Sequence, residues 1–254
     1  MKKLLSLVVL LPLLVVISLE AHDLDGDGKN SILIPINVMD PTPGAHGTSW
    51  VTELWFHNGA AVPVRLRECG IVGPPCGGVI YEPGVTVNVY DDFTEEERRA
   101  PLLLRFGATE PWYTFSSRLY ELSRAAQPAG VYVPVVREEE FFTEPKRFVG
   151  IPGDATVRTA VRFYDVTSPF GPRAAGARIE VFDLDGNKLG EHVTPVSESI
   201  FLRFAEVHDI ASLISGLPER FDLRVSPIPA DLTFWALVSV TDNETQQVLL
   251  INAD

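Results

Sequence analysis

Three aspartates at alternate positions, Asp23, Asp25 and Asp27, stand ahead of Gly28 in the segment AHDLDGDGKNSI. An EF-hand-type loop begins to wrap calcium in this way, with carboxylates at its first, third and fifth positions and a turn glycine at the sixth. Lys29 then offers its carbonyl at the seventh position and Ser31 stands at the ninth. The twelfth, where a bidentate glutamate closes the shell, is Ile34. No amphipathic helix follows, because SILIPINV reads as a strand. A full EF-hand is therefore not expected. Two readings stay open: a looser calcium loop completed by groups from elsewhere, and an acidic N-terminal segment. The chain carries its own control in DLDGNKLG (183–190). Apolar alternation on both sides makes that copy of Asp-Leu-Asp-Gly a β-hairpin, with Asp185, Gly186 and Asn187 in the turn.

Other chemistry is sparse. There is no Gly-x-Ser-x-Gly elbow, no His-Glu-x-x-His zinc helix, no Ser-x-x-Lys and no phosphate loop. The five histidines, His22, His46, His57, His192 and His208, are scattered without metal-ligand spacing. Carboxylates are harder to dismiss, since a glycosidase needs only two acids across a cleft. Glu53, Glu121 and Glu138 to Glu140 qualify by type. Alternation puts Glu121 on a core face, where a structural partner or a place at the strand's end explains it better than catalysis. Cys69 and Cys76, the two cysteines, flank a Gly- and Pro-rich stretch and read as a local disulfide in an oxidising compartment. NET at Asn243 to Thr245 fits a glycosylation pattern, but between two strands it reads first as a turn.

The elements that position these residues are strands. Twenty prolines, nineteen glycines and many short Val, Ile, Leu, Phe and Thr runs point to an all-β chain. The strongest pattern is an internal repeat. WVTELWFH (50–57) matches VRTAVRFY (157–164), and LLLRFGATEPWYTFSSRLYEL (102–122) aligns without a gap to FDLRVSPIPADLTFWALVSVT (221–241). The closing strands GVYVPVV and QVLLINA follow in the same order. Each copy spans roughly 110 residues, the size of an immunoglobulin-like sandwich. The expected organisation is a signal peptide over 1–21, an acidic segment over 22–31 and β-sandwich domains over 32–142 and 143–254.

Alternation assigns the faces. Trp50, Thr52, Leu54 and Phe56 face the core, as do Val157, Thr159, Val161 and Phe163. In the later strand Tyr113, Phe115 and Leu119 face inward, matched by Leu232, Phe234 and Val238. Trp55, Trp112, Tyr120 and Trp235 then point outward, beside Arg118, Arg158, Arg162 and Tyr164. Outward aromatics make either a stacking platform for a ligand or a contact between domains, and the domain contact is the simpler reading.

The leader MKKLLSLVVLLPLLVVISLEA has the charged start, short apolar run and small residue of a secretory signal. Removing it takes the formal charge from −13 to about −14. That charge argues against nucleic acid and against an anionic membrane surface. No second apolar run of comparable length follows, so no membrane insertion of the mature chain is expected.

The segments GTSWVTELWFHN, IEVFDLDGNKLGE and FWALVSVTDNETQQVLLI together resemble repeats in secreted bacterial Ig-like β-sandwich proteins. The resemblance implies two tandem immunoglobulin-like sandwiches outside the cytoplasm, with a surface or adhesive role and no reaction. Extracellular proteins or polysaccharides are the expected partners, and self-association through strand edges is a further one. The expectation is a secreted non-catalytic adhesive or structural module, extracellular, on the cell surface or periplasmic. A carbohydrate-binding module is the alternative and a glycosidase the third reading.

Overall fold

The computed structural model describes residues 29–44, 47–67, 78–107, 113–123, 130–167, 173–197 and 202–253. The leader, Asp23, Asp25, Asp27, Cys69, Cys76 and Trp112 lie outside these residues. The chain is all-β, and its helical elements among the described residues are single short 3-10 turns. None is long and apolar enough to cross a membrane.

In the first half the strands are β1 (Lys29–Ile34), β2 (Thr42–Pro43), β3 (Ser49–Asn58), β4 (Val64–Arg67), β5 (Gly78–Tyr81), β6 (Thr86–Asn88), β7 (Leu102–Gly107), β8 (Tyr113–Glu121), β9 (Val131–Val133) and β10 (Val136–Arg137). In the second half they are β11 (Lys146–Pro152), β12 (Val157–Asp165), β13 (Gly176–Phe182), β14 (Lys188–Pro195), β15 (Arg203–Val207), β16 (Arg220–Ile228), β17 (Phe234–Asp242) and β18 (Val248–Ile251).

The second half folds as two antiparallel sheets, ordered β11–β16–β13–β14 and β15–β12–β17–β18. The first half repeats this strand order, except that β4 and β5 form a separate two-stranded sheet. β1 pairs β7, β4 pairs β5 beside β7, and β6–β3–β8–β9 forms the other sheet. β2 and β10 are additions at the edges of β3 and β1. The sequence repeat is therefore a repeat of topology, with one displacement. Phe56 pairs Phe115, but its counterpart Phe163 pairs Ala236 and not Phe234. The register has slipped by an even step, which leaves each side chain on its original face.

Each half encloses its own core. Phe148, Val161, Phe163, Phe221, Leu223 and Phe234 fill the second, while Ile32, Leu54, Phe56, Tyr81 and Tyr113 fill the first. Each such ring or aliphatic chain taken out of water contributes about 1.5–3 kcal/mol. The DLDGN turn joins β13 to β14 as expected. Asp183 accepts from the Asn187 amide at 2.8 Å, and Gly186 takes φ +86°, a conformation that needs no Cβ.

A third cluster joins the halves. Leu33, Ile36, Leu119, Val133 and Val136 pack against Tyr164, Leu202, Trp235 and Leu237 on the outer face of the β15–β12–β17–β18 sheet. The Tyr164 hydroxyl donates to the Pro35 carbonyl at 2.6 Å in this interior. Burial pushes that phenol above its ordinary range and keeps it a donor. Phe142, at the close of the span expected for the first domain, bridges to Phe234 through two backbone hydrogen bonds of 2.7 and 2.9 Å.

Candidate functional site

Of the outward aromatics among the described residues, Trp55, Tyr120 and Trp235 do not form one surface. Trp235 is only 8% exposed, with Tyr164 at 5.9 Å and Phe142 at 6.4 Å between ring centres. It faces away from the core of its own half, but the first half covers it. Trp55 and Tyr120 share the open face of the β6–β3–β8–β9 sheet, a face the alternation of β3 and β8 creates.

Register shows what surrounds them. Trp55 lies opposite Ser116, Glu53 opposite Arg118 and Val51 opposite Tyr120, all projecting outward. Beyond β8, Arg118 lies opposite Tyr132 of β9. Trp55 is 42% exposed and Tyr132 67%. Two strand spacings separate them, about 10 Å across the sheet, with about 7 Å along it.

Arg118 fixes the corner of this surface. Its guanidinium carbon lies 5.0 Å from the Tyr120 ring centre and 5.1 Å from that of Tyr132, a cation wedged between two π faces. The Tyr120 hydroxyl donates to Glu53 at 3.1 Å, and partial burial followed by that carboxylate raises its pKa. Gly130 is where the Tyr120 ring comes to rest. A Cβ there would lie 2.8 Å from the ring and 2.7 Å from the Leu119 carbonyl. At the other end, His57 shares a 2.8 Å hydrogen bond with Thr86. The face thus alternates exposed rings with hydroxyl, carboxylate, guanidinium and imidazole groups on a rigid sheet. Such a surface can stack the C–H face of a sugar ring and hydrogen-bond its hydroxyls.

Tyr132 was not among the residues singled out from the sequence. The signal was present in GVYVPVV, where Val131 and Val133 flank it, but the facing side is set by pairing with β8.

Three of the candidate carboxylates, Glu121, Glu138 and Glu140, serve structural ends. Glu138 is buried and accepts from the Ser31 amide at 2.6 Å, while Glu140 accepts from the Arg137 amide at 2.8 Å. Glu121 closes β8 and accepts from the Ser49 and Ser123 amides. Two acids that the sequence did not single out, Glu206 and Asp209, line a cleft between the halves. Glu206 is ion-paired with Arg162 at 2.5 Å, and Asp209 accepts from the Ala211 amide at 3.1 Å as it caps a 3-10 turn. Among the described residues no group of three or more His, Cys, Asp or Glu is placed to hold a metal ion.

No family model, no curated protein and no solved structure matches this chain.

Proposed function

We propose that this chain is a secreted, non-catalytic adhesive module built from two tandem immunoglobulin-like β-sandwiches, and that it adheres to polysaccharide through the Trp55, Tyr120 and Tyr132 face. The observation that carries this reading is the pair of exposed rings, 42% and 67%, on one sheet face with polar groups between them. A protein-docking patch would be expected to present contiguous apolar contact at its centre. Here each ring is separated from the next by a hydrogen-bonding side chain, which suits a chain of alternating C–H faces and hydroxyls. The acidic net charge of −13 favours a neutral glycan over a polyanionic one. The secretory leader supports an extracellular setting.

A glycan-array screen of the mature chain, with calcium and again with EDTA, tests this. Specific binding that falls at least about tenfold in Trp55→Ala and Tyr132→Ala supports the reading. Absence of binding to every glycan, or binding indifferent to both substitutions, overturns it. Loss of binding in EDTA would assign Asp23, Asp25 and Asp27 a calcium role, and indifference to EDTA would leave them an acidic segment.

Self-association has a separate support. β14 is an edge strand, paired among the described residues only with β13 and exposed or half-exposed along its length, with Val193 49% exposed. Open edges of this kind accept further strands. Concentration-dependent sedimentation abolished by Val193→Lys is the expected outcome.

A further inference from the structure

The cleft between the halves has a volume of about 560 Å³ and two unlike walls. One wall is apolar and comes from the first half: Ile36, Val38, Leu119 and the half-buried indole of Trp50. The Trp50 N–H is spent on Thr48 Oγ1 at 2.9 Å, so the indole offers its ring to the cleft and not its donor. Gly44 makes that position possible, since a Cβ there would lie 2.6 Å from the indole.

The other wall carries Arg158 on the outer face of β12. Its Nη1 donates to the Asn243 Oδ1 at 3.2 Å and its Nη2 to the Gln246 Oε1 at 2.9 Å. Both partners are neutral amides of the β17–β18 turn. They fix the guanidinium plane and leave its charge in place. Among the described residues no carboxylate lies within ion-pair distance of Arg158, whereas its neighbour Arg162 is paired with Glu206. Asp209 acts on Arg158 only through space, its carboxylate accepting from the Thr159 and Ala211 amides. Partial burial works against the Arg158 charge, and an anion arriving at that group would relieve the penalty.

The turn that holds Arg158 is itself strained. Gln246 is the one non-glycine at positive φ among the described residues, at 59°, and is 4% exposed. Its side-chain amide also donates to the Asn243 carbonyl at 2.6 Å. A buried glutamine held in a left-handed conformation to aim an oxygen at an arginine is the kind of local strain that accompanies binding sites.

We propose that this cleft binds a ring compound bearing a carboxylate, with the carboxylate on Arg158 and the ring against Trp50. The free N–H groups of a fixed guanidinium match a carboxylate in charge and geometry. The cleft volume takes a single sugar acid or an aryl acid. The site is independent of the Trp55 face.

The test is calorimetric titration of the mature chain with D-glucuronate, its neutral amide, benzoate and benzamide. At least one acid binds, about tenfold or more tighter than its amide. Preference for glucuronate over benzoate, or the reverse, identifies the source of the carboxylate as sugar or aryl. Arg158→Gln loses about tenfold or more, and Arg158→Lys retains part of the affinity. Acid and amide binding alike, neither acid binding, or Arg158→Gln binding as the wild type does would overturn the proposal. The acid–amide comparison uses the unsubstituted chain, so it decides the matter even if the variants fold poorly.

Discussion

Replacing Tyr164 with phenylalanine removes a single oxygen from the junction between the two halves. That hydroxyl is fully buried and donates to the Pro35 carbonyl at 2.6 Å, on a segment 129 residues away in sequence. Phenylalanine keeps the ring contacts with Trp235 and Phe204 and leaves the carbonyl facing a hydrocarbon edge. A neutral hydrogen bond contributes about 1 kcal/mol, and stranding its buried acceptor raises the cost to about 1–3 kcal/mol. For a chain of this size each kcal/mol lowers the melting midpoint by about 2–4 °C. Urea unfolding of both proteins, followed by tryptophan fluorescence and far-ultraviolet circular dichroism, is the assay. The loss is constant through neutral pH. Because burial raises this phenol's pKa in the folded chain, the folded state retains a proton that the unfolded state releases in alkali. The wild-type advantage is thus present below pH about 10 and shrinks above it, whereas Tyr164→Phe lacks that dependence. A change below about 0.5 kcal/mol would refute the view that the halves are fastened through this contact.

Gly130→Ala drives a methyl into the Leu119 carbonyl and the Tyr120 ring, so it costs about 1–3 kcal/mol and weakens glycan binding by tilting Tyr120; unchanged affinity would show the ring's position to be unimportant. Glu180 sits beneath Lys188 and Arg224 at 2.9 and 2.6 Å. Burial opposes its charge, but the two cations outweigh burial and hold its pKa below the ordinary glutamate range. Its contribution is therefore present above that range and lost as pH falls through it. Glu180→Gln costs about 1 kcal/mol at neutral pH, since both cations are roughly half exposed, and flattens the acid limb of the stability curve. Cys69 and Cys76 are expected to resist thiol labelling in the secreted chain until it is unfolded and reduced; labelling without reduction would refute the disulfide.

The sequence by itself determined that the chain is built of strands and which side of their central residues meets each half's own core, whereas Trp50 and Leu119, expected in that core, lie between the halves. Those properties are local: alternation has a period of two, and the positions of Thr52, Leu54 and Phe56 recur at Thr159, Val161 and Phe163. The repeat then matched strand to strand, because like patterns find like partners. The far side of each sheet was a different matter. An outward position reads alike whether solvent or another sheet lies over it. Tyr164 and Trp235 lie under the first half, while Trp55 on the corresponding sheet of that half stays open. Tyr132 joined the open face because β9 pairs β8 in a register that a three-residue strand does not announce. The Arg158 cleft needed well-separated segments, among them the stretch after β1, the β2–β3 hairpin, β8, β12 and the turn after β17, brought together by packing between the halves. Such contacts have no periodicity along the chain, so only the tertiary structure decided them.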